Sequence, residues 1–186
     1  MKYPRLSAIA LAVAALPVVA ASAPAASDAT AASVERGRYL VATSGCHDCH
    51  TPWHVGPEGP EPDMSRMLSG HPREMELPPP PQTSGPWIMT AAATNTAWAG
   101  PWGISFTANL TSDPETGVGK WTVQEFFDTL RSGRHLGRGR PILPPMPWPA
   151  YGQMTDEDLA AIFAYLQTVP PIVNKVPDPA PPTPAP

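Results

Sequence analysis

Cysteine is nearly absent: the 186-residue chain has two, Cys46 and Cys49. Two cysteines separated by two residues cannot build the disulfide framework of a small exported domain, so whatever holds this chain together is not a set of cross-links. Long apolar runs are missing too. The longest, Ile9 to Ala20, is about a dozen residues, short of the roughly 20 that a membrane-crossing helix needs. Nor is there an excess of positive charge: 12 Lys and Arg stand against 16 Asp and Glu, a formal charge of -4. A mildly acidic protein of this kind is not built to hold nucleic acid.

What is present begins with a leader. Lys2 and Arg5 precede the apolar run, and Ala23-Pro24-Ala25 supplies the small residues that a signal peptidase cuts behind. Residues 1–25 therefore read as a secretory signal peptide, which predicts a periplasmic protein with no integral membrane span once the leader is removed. Its loss takes two positive charges and leaves 10 cationic against 16 anionic residues, a formal charge of -6. Residues 26–32 are small and polar and read as a disordered linker. A domain over 33–177 follows, and 178–186, mostly Pro and Ala, reads as a stiff tail without core-forming side chains.

Helical periodicity appears at three places in that domain. Val34, Gly37, Leu40 and Val41 share one face of a first helix. Thr122 and Glu125 form a capping-box pattern ahead of Val123, Phe126, Phe127 and Leu130, and Ser132-Gly133 stops that helix. A third starts at Thr155, with Asp156, Glu157 and Asp158 at the positive end of its dipole, and carries Leu159, Ile162, Phe163 and Leu166 towards Pro170-Pro171. Residues 52–103, with the run Pro78 to Pro81, show neither helical nor strand periodicity and are predicted to be an extended, loop-rich insertion packed over something. Three helices around such a middle bury little by themselves, and a large apolar prosthetic group would supply the missing core.

The chemistry is in Cys46-His47-Asp48-Cys49-His50. Two thiols three positions apart can each add to one vinyl group of a haem, while the next residue offers an imidazole to the iron. A thioredoxin-like redox pair wants a βαβ setting that this sequence lacks. A zinc site recruiting His54 or His71 wants a second ligand pair at finger spacing, also missing. Export, a lone cysteine pair and the following His favour one covalently bound haem c with His50 as an axial ligand.

The opposite axial position separates a carrier from an enzyme or gas sensor, because an occupied site excludes exogenous ligands. Met146, in Pro144-Pro145-Met146-Pro147-Trp148-Pro149, is the first candidate, since prolines stiffen the loop that would hold its thioether; Met154 is the second. If neither binds, His47 or His54 becomes a candidate acid or base of a haem enzyme or gas-binding sensor. A third reading makes the haem only a folding core for a structural module. Trp121 and Asn109 are candidate propionate donors or packing residues. Arg131, Arg134, His135, Arg138 and Arg140 form either a docking patch for an acidic redox partner or a solvated loop.

The pieces Glu35 to Leu40, Cys46 to Thr51, Ala108-Asn109-Leu110-Thr111 with Gly117, Gly119 and Trp121, and Pro141 to Leu166 resemble the class I type c cytochromes of proteobacterial periplasms. The likeness is nearest to the group that includes cytochrome subunits of membrane dehydrogenases. It implies a mainly α, cytochrome c-like domain, its terminal helices crossing around a haem with the proline-rich loop inserted, and Gly37 placed where the first helix meets the last near Phe163 and Tyr165. It also implies outer-sphere electron transfer with redox protein partners on the dehydrogenase or terminal oxidase side. Those subunits often repeat the haem box, and this chain has one.

Overall fold

The structure, a computed structural model, describes residues 26–81, 83 and 85–182, with side-chain surroundings from residue 30 onward. The signal peptide read at 1–25 lies outside the described residues. Among those described, no helix is long and apolar enough to cross a membrane.

Helix α1 runs from Ala26 to Thr43. The linker expected at 26–32 is therefore its first turns. Alanine is the strongest helix former and needs no buried face to hold the conformation, so a segment too small to make a core still extends the helix behind it. At its other end Leu40 and Val41 are buried. The five-residue α2, Cys46–His50, follows after Gly45, whose φ of 74° makes the sharp entry.

The insertion corrects a second expectation. It is not structureless: β1, Trp53–Gly56, and β2, Gly59–Pro62, form an antiparallel hairpin, and β3, Thr90–Ala91, β4, Ala97–Gly100, and β5, Gly103–Phe106, form a three-stranded sheet in that order. The sequence hid these strands because each is four residues or fewer, too short for a period to stand out, and β2 and β4 are mostly Gly, Ala and Pro. Trp53 N–H donates to the Thr94 carbonyl at 2.9 Å, and the Trp53 indole and Asn95 amide both donate to Asp48 O. Hairpin and sheet are thereby tied to α2. The proline run does pack over something: Leu77 and Pro78 to Pro81 border a hollow whose other wall is Ala91, Ala97, Trp98 and Ala99 of the sheet.

Helix α3, Val123–Ser132, carries the full capping box of Thr122 and Glu125 and stops at Gly133 in the left-handed conformation. After the short α4, Trp148–Tyr151, helix α5, Asp156–Leu166, starts where Thr155 accepts from Asp158 N–H. Leu40 and Val41, Phe126 and Leu130, and Leu159, Ile162 and Leu166 gather α1, α3 and α5 into one core. Helices α1 and α5 touch backbone to backbone at Gly37: a Cβ there would overlap the Ala161 carbonyl oxygen, 2.5 Å from its carbon and 2.8 Å from Tyr165 Cβ. Arg36 closes the same contact on Asp158 at 2.9 Å.

The described part of the tail read from 178 adds to the sheet: Ala180 and Ile104 exchange both backbone hydrogen bonds, at 2.9 and 3.0 Å. Without a Cβ at Gly103, Pro181 and Pro182 come close to β5. Proline tolerates an edge position because the donor it lacks would face away from the ladder.

Candidate functional site

Helix α2 gives the cysteine spacing a structural meaning. Residues three and four apart share a helix face, so Cys46, Cys49 and His50 point together, and all three line one open-mouthed cavity. The two thiols are free. Burial pushes the Cys46 thiol up to about 11 and raises that of Cys49, which keeps both protonated and slow to form a disulfide.

His50 is buried, and its Nδ1–H donates to the Ala108 carbonyl at 2.8 Å. Burial lowers its pKa, and that carbonyl offsets the fall only in part, so the ring is neutral. With Nδ1 as the donor, the Nε2 lone pair is the one left for a metal.

Met146 lies on the same cavity wall, and so does Met154. Of the other methionines beyond the leader, Met64, Met75 and Met89 are exposed and Met67 packs on the core; among the described residues Met146 and Met154 are the thioethers that line the cavity. The Met146 loop is held by the Ser105 hydroxyl, which donates to Pro144 O at 2.6 Å. Met154 is held through its carbonyl by Arg131, which also pairs with Asp156 at 2.7 Å.

The remaining candidates separate. Asn109 is committed elsewhere: its amide donates to Thr116 Oγ1 and Ile172 O and its carbonyl accepts from Thr111, so it orders the 109–116 turn. Trp121 lines the cavity and stacks edge-on with His135. His47 bonds Thr51, and His54 sits exposed on β1 beside Glu61, so neither of these two candidate acids or bases lines the cavity. In the arginine stretch, Arg131, Arg134 and Arg138 bond within the chain, while Arg140 and His135 line the cavity.

Sequence reasoning missed three parts of the site. Ala108 acts through a carbonyl, which no side-chain pattern reveals. Trp98 comes from a strand that was not legible. Tyr151, whose hydroxyl donates to Ser44 O at 2.6 Å and whose phenol burial pushes up to about 12, was foreshadowed only by an aromatic just before α5.

The walls suit a large apolar guest with a few polar handles. Val41, Leu110, Val118, Phe126 and Leu130 make a water-excluding surface, and nitrogen, sulfur and thiol donors stand among them. The residues present therefore fit a covalently held haem. Among the described residues no group of three or more His, Cys, Asp or Glu side chains forms a bare-metal site.

No protein-family model matches the chain. Individual proteins do. The cytochrome c subunit of alcohol dehydrogenase (quinone) from Gluconobacter oxydans is 29% identical over 156 residues, which is 82% of this chain and 25% of that protein. The fructose dehydrogenase cytochrome subunit of Gluconobacter japonicus is 28% identical over 136 residues, 73% of this chain and 21% of that protein. The gluconate 2-dehydrogenase cytochrome c subunit of Pantoea cypripedii is 28% identical over 134 residues, 72% and 22% respectively. The chain thus spans a quarter or less of the length of these relatives. With its lone cysteine pair, following histidine and apolar cavity, the chain is similar along most of its length to the cytochrome c subunits of bacterial dehydrogenases.

Proposed function

We propose that this chain is a periplasmic electron-transfer protein: a single mainly helical domain that carries one haem c on Cys46 and Cys49, with His50 and Met146 as its axial ligands. The observation that carries the proposal is the convergence of both thiols, the His50 imidazole and a loop-held thioether on one apolar cavity. The cofactor's contribution is a one-electron couple at iron, and the reaction needs no general acid or base. The protein's own residues hold and tune. His50 presents a neutral imidazole whose direction is fixed by Ala108 O; the Met146 thioether, as the second iron ligand, would favour the ferrous state and raise the potential. The aliphatic walls keep water from the site, which favours the less charged state and limits competing ligands.

The likeness to dehydrogenase subunits supports a place beside a dehydrogenase, passing electrons onward to a redox protein on the terminal oxidase side. Methionine on the cavity wall, with His47 and His54 elsewhere, supports a carrier over a haem enzyme or gas-binding sensor.

The test is the visible and near-infrared spectrum of the purified ferric protein beside Met146→Ala and Met154→Ala, after intact mass has established covalent haem. The weak charge-transfer band of methionine sulfur on low-spin ferric haem is expected in the wild type and in Met154→Ala, and lost in Met146→Ala. Loss only in Met154→Ala would reassign the ligand. A wild type that is already high-spin and binds carbon monoxide rapidly would overturn the carrier reading.

A further inference from the structure

The bond that aims His50 depends on a residue from a different part of the chain. Gly70 sits between two carbonyls. Its N–H donates to the His50 backbone oxygen at 2.8 Å. Its other side lies against the 107–108 peptide: a Cβ at Gly70 would stand 2.5 Å from Thr107 O, 2.6 Å from the Ala108 carbonyl carbon and 2.7 Å from the Ala108 oxygen. That last oxygen is the acceptor of His50 Nδ1–H.

The segment that carries Gly70 is not free to yield. On one side of Gly70 the Leu110 N–H donates to Leu68 O at 2.8 Å; on the other the His71 N–H donates to Thr107 O at 3.0 Å. Segment 68–71 is therefore stitched along 107–110. From behind, the buried Asn174 amide donates to both Ser69 O and His71 O, at 2.6 and 2.9 Å. Leu68, Ser69 and His71 are fully buried. An added methyl has to move the Ala108 peptide, because the segment that carries it is pinned on three sides.

We propose that Gly70 is a positioning residue for the axial imidazole: by carrying no Cβ it lets the Ala108 carbonyl reach His50 Nδ1, and it thereby sets how strongly His50 donates to the iron. This rests on the haem reading above. An outer hydrogen bond from a ligating histidine raises the basicity of the ligand and favours the more oxidised metal. Pushing the carbonyl away removes that support and shifts the midpoint potential upward.

Gly70→Ala changes backbone preference as well as space, since Gly70 has a φ of 77°. Gly85 supplies the control: its φ is 63°, and a Cβ there meets nothing within 4 Å. Gly85→Ala therefore carries the same kind of left-handed penalty with no contact, at a distance in sequence from every proposed ligand. The experiment is redox titration of holoprotein for the wild type and both variants, with proton NMR of the ferrous form to follow the His50 Nδ1–H resonance. Expected are an upward shift in potential and a displaced, faster-exchanging Nδ1–H in Gly70→Ala, and wild-type values of both in Gly85→Ala. An unchanged potential and resonance in Gly70→Ala would overturn the proposal. So would equal shifts in both variants.

If Gly70→Ala accumulates no holoprotein, amide exchange of the wild type decides instead. A Gly70 N–H as protected as the core of α5 supports the clamp, and rapid exchange of that amide refutes it. A wild-type chain whose intact mass shows no covalent haem would fail the functional proposal itself, an outcome read before any variant is compared.

Discussion

Gly37→Ala tests whether a helix contact or helix propensity governs this protein's stability, because the two predict opposite signs. In a helix interior, replacing glycine by alanine is worth about 1 kcal/mol in favour of the helix. Here the new methyl would overlap the Ala161 carbonyl oxygen and come within 2.5 Å of its carbon. Carbon atoms in contact prefer about 3.5–4.0 Å, so α1 and α5 must part by ~1 Å. The obstacle is backbone on the opposing helix, with Tyr165 Cβ at 2.8 Å, and no rotamer change clears it. A gap of that size forfeits up to about half the dispersion energy of the neighbouring contacts, which include Leu40 and Val41 against Leu159 and Ile162. Overpacking of this sort costs about 1–3 kcal/mol, and a rigid opponent puts it at the upper end. Net of propensity, the variant loses ~2 kcal/mol, a fall in Tm of about 4–8 °C for a domain of this size. Thermal unfolding of wild type and variant holoprotein, followed by circular dichroism at 222 nm, reads the shift. A Tm equal to or above the wild type would refute the close approach of the two helices.

Asn174→Leu is expected to cost more than ~3 kcal/mol in urea unfolding, since it strands three backbone groups, Ser69 O, His71 O and the Arg73 N–H, each worth about 1–3 kcal/mol when buried without a partner. Thr122→Ala removes the oxygen that accepts Glu125 N–H and is expected to cost about 1 kcal/mol in the same assay. Asp113 is held below the usual carboxylate range by the Thr116 hydroxyl and amide, then by the Glu115 amide. Its stabilisation is thus full above about pH 4, the ordinary Asp value, and is lost as pH falls through the lowered native value; Asp113→Asn should flatten the acid limb of a stability profile while weakening the protein at neutral pH. Tyr151 stays protonated to about 12, so ultraviolet titration of the native protein at pH 10–11 should be the same for wild type and Tyr151→Phe, and a smaller amplitude in the variant would contradict its burial and its bond to Ser44.

What could be read from the sequence was what depends on near neighbours in the chain. The cap at Thr122 is a hydrogen bond spanning three residues and stands as its spacing implies, and the last helix starts at Thr155 where the acidic run placed it. The placing of Cys46, Cys49 and His50 on one face is a property of helical pitch. Met146 was legible as a thioether on a proline-stiffened loop, yet composition could not separate it from Met154, and both line the cavity. What was not legible rests on partners remote in sequence or on backbone atoms. The sheet of β3 to β5 forms from segments of two to four residues, too short to carry a legible period. Asn109, which looked like a donor to a guest, spends its amide on Ile172, 63 positions away. Ala180 meets Ile104 through main-chain groups, so nothing in a Pro-Ala tail could announce it.

Three of the bonds that close the molecule join segments far apart in the chain: Arg36 to Asp158, Ser44 to Tyr151, and Arg73 to Asn174. Contacts of such long range form late and slow a fold, because the loop between them must be ordered first. A chain made from its N-terminus onward therefore carries Cys46 and Cys49 without the α5 side of their cavity until Ile162 and Leu166 arrive. The thiols are open to chemistry while the polypeptide is still assembling, and the wall that later half-buries them is made well after they are.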